Sequence, residues 1–126
     1  MTKKINEDSI KQLNPQVKVL FQEYNIAFKN KMWTTVIILS LTIIDNILSD
    51  INNLDHVDGL DINHFKSSKD FHWLRIKRNK ILHFENPLEG FFGNKDSKKT
   101  LKLDAIRADS TLKSCFYTLF RKQSLF

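Results

Sequence analysis

The chain has 126 residues, 41% of them apolar and 27% charged, a length and composition that suit one compact domain with a core and exclude intrinsic disorder. Its formal charge is +6, from 20 Lys and Arg against 14 Asp and Glu, a mild excess that fits a polyanionic partner such as RNA without requiring one. Gly 3 and Pro 2 are low counts, and so few breakers favour long helices over a many-stranded sheet.

At the N-terminus, MTKKINEDSI lacks the apolar run of a signal peptide. Asn14-Pro15 then pairs a cap residue with a helix-opening proline. Val17, Leu20, Tyr24 and Ala27 follow at helical spacing and make one apolar stripe. Leu13 extends this stripe backwards, with Pro15 as either a kink or the true start.

A second helix is expected from about Met32 to Ile51, where Ile37, Leu41, Ile44, Leu48 and Ile51 recur at alternating steps of four and three. The run TTVIILSLTII is rich in β-branched residues and would suit a strand. The stripe continues well past strand length, so helix is the stronger reading. A second line, Thr35, Ile38, Thr42, Asp45 and Ser49, is mostly polar, and Asp45 is the only charge in the middle of this helix. The uncharged run from Trp33 to Ile44 covers about 12 residues, where a membrane span needs about 20, so no membrane partner is expected.

Asn52 to His64 reads as a loop containing Gly59, several Asp, His56 and His64. It has neither EF-hand nor zinc-site spacing, so no metal and no cofactor is expected. A third helix starts near Ser67 or Ser68, both good caps, and runs to about His83. Phe84 to Thr100, with a Pro, two Gly and a Lys-rich end, reads as a long loop bordering a site. A fourth helix spans about Leu101 to Arg121, with Leu101, Ala105, Ala108, Leu112, Cys115 and Leu119 on its buried face. Cys115 is the only cysteine, which rules out a disulfide within the chain and fits a reducing cytoplasm. The expected fold class is all-α: an antiparallel bundle of four to five helices in one domain over residues 1–126, soluble and cytoplasmic.

One residue of the third helix breaks this pattern. Phe71, Leu74, Ile81 and Leu82 lie three, four or seven positions from Arg78 and share its face, so Arg78 falls in the middle of the apolar stripe. Arg75, Lys77 and Lys80 are expected elsewhere, within reach of solvent. A guanidinium on a core-facing stripe is costly unless paired. Either it forms a structural ion pair, with Asp45 as the candidate, or snorkels outward on its aliphatic stem, or it lines a cleft that takes an anion. Asn79 lies four residues before His83, so an arginine, an amide and an imidazole gather within six residues.

The segment R-N-K-I-L-H, with Arg78, Asn79 and His83, resembles the hallmark of the HEPN superfamily of helical-bundle proteins. In that family an Arg is followed by a polar residue and by a His five positions beyond the Arg. The layout from Asn14 to Arg121 is similar too, with a long apolar helix carrying a mid-helix acid (Asp45) before the motif and an amphipathic helix after it. The resemblance implies a metal-independent RNase, often a toxin or antiphage effector, that pairs as a homodimer and brings two motifs into one cleft. It also raises the possibility of an antitoxin protein as partner. Some toxins of the family carry a Tyr two residues after the His that a nucleotidyltransferase modifies; here that position is Glu85. Other members are only binding or scaffold modules, so a dimeric module binding nucleotide, RNA or a partner protein is the alternative.

On this reading Arg78, Asn79 and His83 are the catalytic residues and Asp45 is a supporting residue that fixes Arg78. An imidazole suits proton transfer because its ordinary pKa lies near 6.5. The motif offers one His per chain, which cannot easily serve as both base and acid at once, so a dimer would supply the second His83. The planar fork of Arg78 matches phosphoryl oxygens. Asn79 would orient His83 or hold a phosphate oxygen. Arg75, Lys77, Lys80, Lys98 and Lys99, with Lys95, would steer the RNA backbone. Trp73, Phe91 and Phe92 are candidates for base stacking, with Trp73 better suited to the core or a dimer contact. His72 shares the face of Asn79.

Overall fold

In the computed structural model, which describes residues 13–50, 59–83 and 95–124, Asn14 opens the first helix, α1 (Pro15–Lys29). Its backbone is extended, and its side-chain oxygen accepts the Val17 N–H at 2.9 Å. Pro15 sits at the start of the helix, where its missing N–H costs nothing, so it is the true start and not a kink. At the other end the Met32 N–H donates to the Ala27 carbonyl at 2.8 Å and the Lys31 N–H to the Phe28 carbonyl at 3.1 Å. Those two bonds make a Schellman closure, and they hold Lys31 in the left-handed region at φ 59°.

The tight closure leads at once into α2 (Trp33–Ser49), which is helical throughout the β-branched run. Val36, Ile37, Leu41, Ile43, Ile44 and Ile47 are all fully buried. A helix with such a broad apolar surface belongs at the centre of a bundle, and α2 packs against three other helices. Its polar residues cause no conflict there. The Ser40 and Thr42 hydroxyls donate to the carbonyls of Val36 and Ile38, and the Asn46 amide to that of Thr42. Ile51, expected to end the stripe, lies outside the described residues.

The loop expected over Asn52 to His64 is corrected from Gly59 onward, where α3 (Gly59–Lys66) forms. One of its two apolar contacts, Phe65, is buried, and Ile62 packs beside the core. Two turns are too short to show convincing periodicity, and such a helix depends on burial against its neighbours. His56 lies outside the described residues. The next helix, α4 (Lys69–Leu82), starts as expected, with the Ser68 hydroxyl accepting the Phe71 N–H at 3.3 Å. It closes on His83, whose N–H donates to the Asn79 carbonyl at 3.0 Å.

The last helix, α5 (Lys95–Ser124), starts before the expected Leu101. The loop assignment over Phe84 to Thr100 is therefore corrected from Lys95 on. Ser97 is buried there, and the charged run KDSKKT has no breaker to stop a helix growing back from Leu101. Further along, Ala105, Ala108, Leu112, Cys115 and Leu119 are buried as expected, with Leu101 partly so.

Paired contacts set the helix directions. Asn14 and Asp50 join the start of α1 to the end of α2. Phe21 meets Phe116 and Tyr24 meets Asp109, so α1 runs antiparallel to α5. Asp70 meets Arg107 and Lys77 meets Asp104, so α4 also runs antiparallel to α5. Buried residues from all five helices form one apolar cluster, and no strand occurs among the described residues. The expected all-α bundle is what forms. No described helix is long and apolar enough to cross a membrane.

Candidate functional site

Asp45, on the polar line of α2, is bonded to two side chains of α4. Its Oδ2 accepts from Arg78 Nη1 at 3.2 Å, and its Oδ1 accepts from Arg75 Nη2 at 3.2 Å. Two guanidinium groups against one carboxylate leave one positive charge in excess. The arginines lie three residues apart on α4, which puts them on neighbouring positions one turn apart. Arg75, expected elsewhere on the helix, thus belongs to this cluster.

Burial grades along the stripe. Phe71 and Leu74 are buried, Ile81 is half-buried and Leu82 is 54% exposed. Arg78 therefore marks the end of the buried stripe and not its middle, because the last turn of α4 emerges from the core. Its side chain keeps 20% of its exposure, against 46% for Arg75 and 33% for Asp45. The Arg75 guanidinium lies over the Phe71 ring, 5.0 Å from its centroid. The Arg78 Nε is buried and has no acceptor. An unmet buried donor costs about 1–3 kcal/mol, so this guanidinium is not fully satisfied by Asp45.

Asn79 and His83 are both exposed on the last turn of α4, where the backbone bond between them closes the helix. The structure thus joins Arg78 to Asp45 and Arg75, and leaves the amide and the imidazole open to solvent. His72 is exposed as well.

Lys77 does not reach solvent as expected. Its ammonium bonds Asp104 at 2.7 Å and its side chain is only 13% exposed, so it fastens α4 to α5 and is not free to steer a polyanion. Lys80, Lys98 and Lys99 are exposed. The side chain of Lys95, and Phe91 and Phe92, lie outside the described residues. Trp73 packs against the core, with the Arg107 guanidinium 4.2 Å from its ring centroid. That face of the indole is taken, and Arg107 is itself anchored to Asp70 at 2.9 Å.

Sequence reasoning missed a polar group inside the bundle. The Tyr24 hydroxyl donates to Asp109, which also accepts from Lys113 at 2.8 Å. Burial, and then the Asp109 carboxylate, push the Tyr24 pKa well above the ordinary tyrosine range. Burial alone raises the Cys115 thiol likewise. The signal for Asp109 was present: it lies four residues after Ala105 and three before Leu112, on the buried face of α5. Among the described residues no three His, Cys, Asp or Glu side chains gather as a metal site requires.

Compared with known proteins, the chain matches no family model, no curated protein and no solved structure.

Proposed function

We propose that the chain is a metal-independent endoribonuclease of the HEPN type, acting as a homodimer and serving as a toxin or antiphage effector. The observation that carries this reading is Arg78. It is a guanidinium at the margin of the core, tethered by one hydrogen bond to Asp45 and followed by an exposed Asn79 and His83. A purely structural pair has no need of the exposed amide and imidazole that follow.

In this reaction one His83 takes the proton of the RNA 2′-hydroxyl. The 2′-oxygen attacks phosphorus, the bond to the 5′-oxygen breaks, and a second His83, from the partner chain, protonates the leaving oxygen. The products carry a 2′,3′-cyclic phosphate and a free 5′-hydroxyl. Arg78 neutralises charge on the phosphoryl oxygens, a contribution of roughly 10²–10³ in rate. Asn79 orients His83 or a phosphate oxygen. Lys80, Lys98 and Lys99 attract the backbone. A toxin of this kind has an antitoxin protein as its natural inhibitor.

The test is RNA cutting by purified protein in excess EDTA, with His83→Ala and Arg78→Ala beside the wild type. Both variants should stay folded and lose cutting; unchanged cutting by either one sinks the assignment. The Asp45 ion pair favours a second reading, in which Arg78 only fastens α4 to α2. On that reading the double variant Asp45→Leu/Arg78→Met keeps full function and gains stability.

A further inference from the structure

We infer that Arg75 is a second phosphate-binding group, and that Asp45 holds Arg75 and Arg78 as a paired guanidinium clamp for one phosphodiester. The inference rests on the RNase reading for the identity of the phosphate, and it adds a residue that the Arg-Asn-His motif does not contain. The argument begins with charge. Lys77 with Asp104, Arg107 with Asp70 and Lys113 with Asp109 each match one cation to one carboxylate. Around Asp45 two cations share a single carboxylate, and among the described residues no second carboxylate bonds either one. The cluster is one anion short of neutral.

The geometry fits the same ligand. Each arginine spends one nitrogen on its own oxygen of Asp45, so the carboxylate sets the spacing of the two forks. A guanidinium has five N–H donors, and most of those on Arg75 remain uncommitted at a half-exposed position. The ring of Phe71, itself buried, lies beneath this guanidinium and limits its swing. The Arg78 Nε is buried, so the exposed part of this side chain, its outer guanidinium, is what a phosphate would meet. A tetrahedral phosphodiester offers two non-bridging oxygens, one for each fork, and guanidinium groups bind such oxygens in a fixed planar geometry. Asp45 is a positioning residue in this arrangement and touches no phosphate.

The test uses 2′-O-methyl RNA, which presents the same phosphodiesters but has no 2′-hydroxyl to attack them. Inorganic phosphate serves as a second probe. Arginine side-chain ¹⁵N–¹H signals are followed during each titration in wild type, Arg75→Gln and Arg75→Lys, with circular dichroism as the check on folding. Both arginine signals should move saturably with the oligonucleotide, and more weakly with inorganic phosphate. Arg75→Gln should weaken oligonucleotide binding about tenfold, the loss expected for one charged hydrogen-bonding group. It should also lower the salt slope by about 0.7. Arg75→Lys should restore the slope but not the affinity, since it returns charge without the fork. A motionless Arg75 signal, or wild-type affinity in Arg75→Gln, overturns the clamp. If affinity falls as expected but wild type cuts no RNA, the clamp stands and the RNase reading fails. If RNA is cut and Arg75→Gln binds and cuts as wild type, the clamp fails alone.

Discussion

Asp45 and His83 differ in what each does for the molecule, and stability measurements separate them. Asp45 is partly buried between two cations. Asp45→Asn leaves those cations unneutralised, with Arg78 mostly buried. It should cost about 1–2 kcal/mol in a urea titration. His83 is exposed and makes no side-chain bond among the described residues, so His83→Ala should shift the same titration by less than about 0.5 kcal/mol. Any loss of activity in His83→Ala then belongs to chemistry and not to folding. The peculiarity of Arg78 was legible from spacing alone, because a charge on an apolar stripe stands out. The part played by Arg75 was not, since a long side chain covers a wide arc and only the position of Asp45 shows which way it turns. Lys77 was misjudged for the same reason: its stem is long enough to reach Asp104 across the seam with α5.

The start of an element is easiest to read when a side chain closes it. Asn14 and Ser68 each accept an N–H three residues on, and both starts were visible in the chain. Two elements were not so clear. In α3 the eight residues Gly59–Lys66 carry too little periodicity to declare a helix, and in α5 the polar first turns offer no apolar stripe to follow. Both helices exist through what they pack against. The turn between α1 and α2 holds a different kind of information. Lys31 occupies a left-handed conformation that costs a residue with a Cβ about 1 kcal/mol. The two Schellman bonds around it fix that conformation. Lys31→Gly should therefore raise stability by about 0.5–1 kcal/mol, read as a higher urea midpoint with an unchanged slope. A lower midpoint would mean that the lysine side chain contributes more than its backbone costs.

Across the whole bundle, the all-α architecture was legible because four of the five described helices carry apolar stripes at the right spacing. The polar centre was less so, because a single Asp on the stripe of α5 gives no hint of its partner on α1. That centre predicts how the fold responds to alkali. An unfolded tyrosine loses its proton near pH 10, whereas Tyr24 in the fold keeps its proton to well above that. The folded chain then binds more protons than the unfolded one, so the contribution of Tyr24 to stability is complete below about pH 10 and falls as pH rises beyond it. Cys115 acts with the same sign from about pH 8.5. Urea midpoints across this range should fall, and Tyr24→Phe should fall less steeply above about pH 10. An equal slope in Tyr24→Phe would remove Tyr24 from the account. The position of Cys115 has a further consequence. It is the chain's sole thiol and is fully enclosed by the bundle, so a reagent added to the folded protein must wait for the helices to part. Its rate of labelling then works as a clock for the openings that uncover this part of α5, one that runs without denaturant and that a ligand gripping the closed form would slow.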